Sequence, residues 1–164
     1  MSKGKAFLFG GVMVALSVVV VGLYINYQKI VEEERRQCYC SLNVVLEEDQ
    51  ETSSILWSYT VARDLKEDLM FPLEWGDTTI DSLLDAIEHC PDEIQENIQE
   101  VFFLHKTAFG NCAAGNATAD KESRRDLANL AHTEIGKAIT KIKRSMETLR
   151  DNDKGFQMAT CPIQ

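Results

Sequence analysis

Residues 6–28 read AFLFGGVMVALSVVVVGLYINYQ, and this stretch governs how the rest of the chain is read. From Ala6 to Tyr27 there is no charged side chain, which is 22 residues, and a helix needs roughly 20 apolar residues to cross a bilayer. Tyr24 and Tyr27 fall where an interfacial aromatic belt would lie, and Lys3 and Lys5 stand at the opposite end. A cleaved signal peptide shares the basic start and the apolar centre. The run is longer than the usual apolar region of such a peptide, however, and Tyr24-Ile25-Asn26-Tyr27-Gln28 offers no small-x-small cleavage site. The expectation is a retained signal-anchor over 6–28, after a short cytoplasmic tail at 1–5.

Within the anchor Gly11, Ala15, Val18 and Gly22 share one helical stripe, and Ala6 with Gly10 forms a second small-x-x-x-small pair. Small residues let transmembrane helices approach closely, so Gly11, Ala15 and Gly22 are the expected packing positions. Lys and Arg are nearly balanced on the two flanks and favour a cytoplasmic N-terminus only mildly. The five cysteines decide more firmly. Cys38, Cys40, Cys90, Cys112 and Cys161 all follow the anchor, which suits a compartment where disulfides form, periplasmic or extracellular.

Beyond the anchor lie all 26 acids and 15 of the 17 bases, a net charge of −11. Such a surface argues against nucleic acid and against adhesion to anionic lipid. The charge is segregated: residues 47–100 hold 16 acids against Arg63 and Lys66, whereas 119–154 hold nine bases and seven acids. Either the basic last helix packs beside acidic ones, or an acidic face receives a cationic partner.

No β-alternating run is present, so residues 29–150 read as an all-α, antiparallel, disulfide-stapled bundle, with 151–164 as a tail packed back on it. The anchor helix is expected to continue to about Met70, turning Cys38, Leu42, Val45, Leu46, Leu56, Tyr59, Leu65 and Leu69 inward. Asp77 and Thr78 are expected to cap a second helix carrying Ile80, Leu83, Leu84 and Ile87. Pro91 either starts a new helix or only kinks this one, since the apolar positions on both sides nearly keep register. Four helices follow in the first case and three in the second. Gly110 is read as a helix end, with a loop from Asn111 to Ala119. Asp120 caps a last helix with Leu127, Leu130, Ile135, Ala138, Ile139, Ile142, Met146 and Leu149 on one stripe.

In the three-helix version Cys112 returns towards Cys38 and Cys40, and the tail doubles back to bring Cys161 to Cys90. The expected bonds are then Cys38 or Cys40 with Cys112, and Cys90 with Cys161. The odd cysteine near the membrane is left free, or joins two copies.

The search for chemistry yields little. His89, His105 and His132 form no metal-binding or di-iron spacing, and no nucleophile elbow or phosphate loop is present. Asp85 and His89 share a face at i,i+4, a spacing typical of a surface contact. Trp57, Trp75, Phe102, Phe103 and Phe109 are read as core filling, and Asn116-Ala117-Thr118 is a glycosylation sequon. No catalytic residue, cofactor or metal is expected. The function expected is that of a non-enzymatic bitopic membrane protein, an accessory or assembly subunit whose acidic domain binds protein. The alternative is a sensory or regulatory bundle that binds a small ligand or a lysis or secretion partner. The partners expected are the bilayer and either another protein or a second copy.

Overall fold

The computed structural model describes the backbone of residues 3–61, 70–151 and 161, with side chains from Leu16 onward. Four helices account for nearly all of it: α1 Lys3–Val61, α2 Trp75–His89, α3 Asp92–Ala117 and α4 Lys121–Asp151, with no strand among the described residues. The chain divides into two compact units, 1–34 and 35–164.

In the first unit the described side chains from Leu16 to Ile30 are exposed. Leu16, Val18, Val19, Val20, Val21, Leu23, Tyr24, Ile25, Tyr27 and Ile30 are all at least half accessible. Among the described residues no helix is long and apolar enough to cross a membrane. The membrane anchor expected over 6–28 is therefore not supported at this level. The side chains of residues 6–15 lie outside the described ones, and Leu16–Tyr27 alone spans only about 18 Å of helix against a hydrocarbon core of about 30 Å.

The second unit is a four-helix bundle, and its register can be read from the buried positions. On α1 they are Cys38, Leu42, Val45, Asp49, Thr52, Leu56 and Tyr59; on α3, Ile94, Ile98, Val101, His105, Ala108, Cys112 and Gly115. Both follow an unbroken alternation of four and three. So do Arg124, Ala128, Ala131, Ile135, Ala138, Ile142, Ser145 and Leu149 on α4, and Thr79, Leu83, Ala86 and Cys90 on and just after α2. An average spacing of 3.5 is the seam of helices that pack side by side at small angles.

Paired ends give the directions. Tyr59 stacks edge-on against Phe71 at one end of the first pair, ring centroids 4.8 Å apart, and Cys38 is bonded to Cys90 at the other. The segment of α1 in this unit therefore runs antiparallel to α2. Asp49 meets His105, and Asn116 meets Phe71, so α3 runs parallel to that segment. His132 on Ser53 and Lys141 on Glu100 set α4 antiparallel to both.

Pro91 breaks the helix rather than kinking it. Cys90 (φ −80, ψ 142) and Pro91 (φ −66, ψ 152) are both extended, which reverses the chain. Pro91 has no N–H to lose at a helix start. Gln95 closes the corner from the far side, its Nε2 donating to the Ile87 and Cys90 carbonyls at 2.7 Å each. At the second helix the expected cap is corrected: α2 begins at Trp75, ahead of Asp77 and Thr78, and Glu74 makes no side-chain cap. Trp75 Nε1 instead donates to the Pro72 carbonyl (2.9 Å) and Gly76 N to Leu73 O (3.1 Å). Asp120 caps α4 as expected, its Oδ2 accepting from Ser123 N at 2.7 Å. Hydrogen bonding from the Ser123 side chain, and then from its backbone N–H, holds the Asp120 carboxyl below its ordinary range.

The loop expected from Asn111 to Ala119 is also corrected, since α3 continues to Ala117. Its small residues serve close approach rather than a turn. A Cβ added at Gly115 would run into the Phe71 ring. Trp57 and Phe103, expected in the core, are 53% and 64% exposed, while Trp75 is buried and Phe102 and Phe109 half-buried. Leu84 and Leu130 are likewise exposed. The expected inward positions Leu65 and Leu69 lie outside the described residues.

Candidate functional site

Two apolar clusters fill the bundle. One gathers Cys38, Leu42, Val45, Leu83, Ala86, Ile94, Ile98, Val101, Ala138 and Ile142; the other Leu56, Tyr59, Phe71, Trp75, Ala108, Cys112, Ala128, Ala131 and Ile135. Between them α1 contributes Asp49 and Thr52, α2 Thr79 and α3 His105, all at most 2% exposed. On α4 the adjacent seam positions Ile135 and Ala138 belong to the two clusters, so this helix adds no polar group. A polar layer thus cuts the hydrophobic core in two.

At its centre His105 Nε2 and Asp49 Oδ1 are 2.6 Å apart, with side chains 1% and 0% exposed. His105 Nδ1 faces the Val101 carbonyl at 2.8 Å. A carbonyl only accepts, so Nδ1 carries a hydrogen and fixes the tautomer. Nε2 and Oδ1 then need one proton between them: either the carboxyl donates to a neutral imidazole, or an imidazolium donates to the carboxylate. Burial pushes the Asp49 carboxyl up from its ordinary value of 3.8, and the bond and charge of His105 oppose that rise. The Trp75 ring closes the layer beside His105, centroids 5.8 Å apart. Asp49 Oδ2 and Thr79 Oγ1 have no hydrogen-bond partner.

This pair is absent from the residues singled out in the sequence, although a signal existed. The expected inward positions of the first helix leap from Leu46 to Leu56, and Asp49 and Thr52 stand where the 4–3 alternation requires core residues. His105 likewise follows Val101 by four. An acid and a histidine on core positions of two helices is a pattern that a list of apolar residues passes over.

The cysteines pair differently from expectation. Cys38 is bonded to Cys90 and Cys40 to Cys161, with Cα separations of 4.8 and 5.4 Å, and Cys112 is a buried free thiol. The expected pairing of Cys112 with Cys38 or Cys40 belonged to the three-helix alternative. Once Pro91 reverses the chain, α3 carries Cys112 to the opposite end of the bundle, among Leu56, Tyr59 and Phe71. Burial there raises its thiol from 9.0 to about 11. Cys38 and Cys40 do point to different faces, but both are used within the chain. The expected leftover thiol for joining copies is therefore not at either position.

The other residues of interest have structural partners. Asp85 accepts from Gln37 Nε2 (3.2 Å) and from Ser41 Oγ and lies 3.3 Å from His89 Nδ1, so the expected surface pair is also a tie between α1 and α2. His132 sits 3.1 Å from both Ser53 Oγ and the Ser53 carbonyl, with its ring against Trp57. No group of metal-ligating side chains occurs among the described residues. Of the expected transmembrane packing positions, Gly22 has open space where a Cβ would stand, while the side chains at Gly11 and Ala15 lie outside the described ones. A shallow cavity of about 410 Å³, lined by Met70, Asn116, Thr118, Lys121 and Arg124 among others, opens where α3 passes to α4. Compared with family models, with curated proteins and with solved structures, the chain matches none.

Proposed function

We propose that the chain is a membrane-anchored, non-enzymatic interaction protein. In this reading residues 6–28 hold it in the bilayer with a cytoplasmic N-terminus. The disulfide-stapled bundle then faces an oxidising compartment as an accessory or assembly subunit of a membrane complex. The observation that carries it is the exposure of one unbroken apolar belt. Val18–Val21 are each 55–66% accessible, and the uncharged run continues N-terminally through Ala6. A soluble helix hides such a face, because each Val or Leu left in water forgoes about 1.5–3 kcal/mol.

Two further features support it. The disulfides suit an oxidising compartment. The three histidines are taken up by structural partners, Asp85, Asp49 and Ser53, rather than gathered at a cleft. The acidic surface of residues 47–100 supplies the face for a protein partner with a cationic surface.

Carbonate extraction of membranes tests the anchor. The full chain is expected to stay in the pellet, and a chain lacking residues 6–28 to leave it; release of the full chain by carbonate overturns the anchor. Purification in mild detergent tests the role. Stoichiometric companion subunits support it, and a solitary chain speaks for the alternative, a regulatory bundle.

A further inference from the structure

We propose that the Asp49–His105 layer is a proton-dependent latch: with its shared proton the bundle is closed at mid-height, and without it the layer opens to water. The latch does not depend on the anchor or on any partner.

The geometry makes the proton indispensable. Nδ1 of His105 is committed to the Val101 carbonyl, so Nε2 presents a bare lone pair whenever the imidazole is neutral. If Asp49 is then ionised, a carboxylate oxygen faces that lone pair across 2.6 Å, in a layer with both side chains at most 1% exposed. The contact becomes repulsive, and Oδ2 has no hydrogen-bond partner in the closed layer. An ionised group stranded in a dry core is strongly disfavoured, and admitting water relieves it.

No other charge takes over. From α2 the layer receives Trp75 and Thr79, from α3 His105, and from α1 Thr52 beside Asp49 itself. On α4 the seam offers Ile135 and Ala138. Its titratable neighbours are His132, held by Ser53 and Trp57 one turn further along α1, and Glu134, paired with Lys137. The remaining buried charge among the described residues, Arg124, lies over the Phe71 ring in the second cluster. Among the influences on the Asp49 carboxyl, His105 is the sole charged group.

The sign follows from the raised carboxyl. A group that holds its proton more tightly when folded contributes stability that is fully present below its unfolded value of 3.8 and is lost as pH rises through the folded value. The layer is accordingly closed in acid and opens towards alkaline pH. The helix amides that flank it, on residues 45–53 of α1 and 101–108 of α3, report the opening.

The test is hydrogen exchange on the full chain in detergent between pH 5 and 9, with Asp49→Asn as the reference at each pH. The asparagine amide can donate to Nε2 without a titratable proton, and intrinsic exchange cancels in the ratio. Exchange in these two segments is expected to accelerate in the wild type relative to the variant by at least tenfold across the range. Residues 124–131, beyond the layer, should keep a constant ratio. Equal pH profiles for wild type and variant overturn the latch. Should Asp49→Asn fail to fold, the ¹³C carboxyl signal of Asp49 in the wild type decides, followed over the same range beside the exchange of residues 124–131. Loss of the Asp49 proton accompanied by faster exchange in the two segments than in 124–131 supports the proposal, and an unchanged carboxyl, or a change without faster exchange, overturns it.

Discussion

Cys90 lies directly across from Cys38, with Cα atoms 4.8 Å apart, and it does so because Pro91 turns the chain immediately after it. The same reversal sends Cys112 to the other end of the bundle and leaves Cys40 for Cys161. One backbone corner thus decides the whole cysteine pattern.

Opening either loop should weaken the bundle substantially. The bonds span 52 and 121 residues, and the chain-entropy estimate for loops of that order is about 4 and about 5 kcal/mol, with typical measured losses of 2–4 kcal/mol. Cys38→Ala with Cys90→Ala should therefore lower the urea midpoint markedly under oxidising conditions, as should Cys40→Ser with Cys161→Ser. Reduction should act in sequence. Cys40 and Cys161 are half-buried, whereas Cys38 and Cys90 are buried, so mild reductant should open the tail bond first. Mass mapping after partial reduction and alkylation checks the order; simultaneous opening would count against it.

The remaining thiol should be silent until the bundle unfolds. Cys112 is 0% exposed and its thiol is raised from 9.0 to about 11, which by itself lowers the thiolate fraction near neutral pH by about a hundredfold. Iodoacetamide should label no cysteine in the native oxidised protein and one per chain in denaturant. Non-reducing gels should show no cross-linked dimer, since no exposed cysteine is left to form one.

Much of this arrangement was legible in the chain. Helical class, the Asp120 cap and most inward residues, Cys38 to Tyr59 on α1 and Ile135 to Leu149 on α4, follow from 3–4 spacing, because one buried stripe per helix leaves that trace in any sequence. What was not legible depends on contacts between distant segments. Pro91 suits a helix start and a kink equally well, and only Gln95 reaching back to Ile87 and Cys90 shows which one is stable. Gly110 and Gly115 look like helix breakers until Phe71, more than 35 residues away, is seen occupying the space beside Gly115. Asp49 and His105 look like surface residues one at a time, and become a core pair only when two helices align at the same level.

The Gly115–Phe71 contact makes opposite predictions for two alanine substitutions on neighbouring helices. At Gly115 the added methyl has no room, because the ring is hemmed in by Tyr59 edge-on and by the Arg124 guanidinium 5.7 Å above it. Overpacking of this kind costs about 1–3 kcal/mol. At Gly136, in the middle of α4, nothing lies within 4 Å of the added Cβ, and replacing a mid-helix glycine there should stabilise by about 0.5–1 kcal/mol. Thermal melts of Gly115→Ala and Gly136→Ala should move in opposite directions. A neutral Gly115→Ala would show that the helices can separate there without loss.

Asn116 heads a glycosylation sequon, yet its side chain is already engaged. Oδ1 accepts from Phe71 N at 2.6 Å and Nδ2 donates to Phe71 O at 3.2 Å, so the amide serves as a two-way clamp on the backbone of Phe71, in the non-helical stretch before α2. The clamp requires a donor and an acceptor on one short side chain. Asn116→Asp removes the donor and sets a carboxylate against the Phe71 carbonyl, with an expected loss of about 1–3 kcal/mol. Thr118→Ala abolishes the sequon but gives up only a long 3.4 Å bond from Asp120 N, so stability should change by less than about 0.5 kcal/mol. Denaturant curves of the two variants separate the roles, because a residue kept for its glycan would respond equally to both. Expression in a secretory host adds a direct reading. The folded chain should retain its unmodified mass of 18.5 kDa, since a sugar on Nδ2 would have to occupy the space that Phe71 fills.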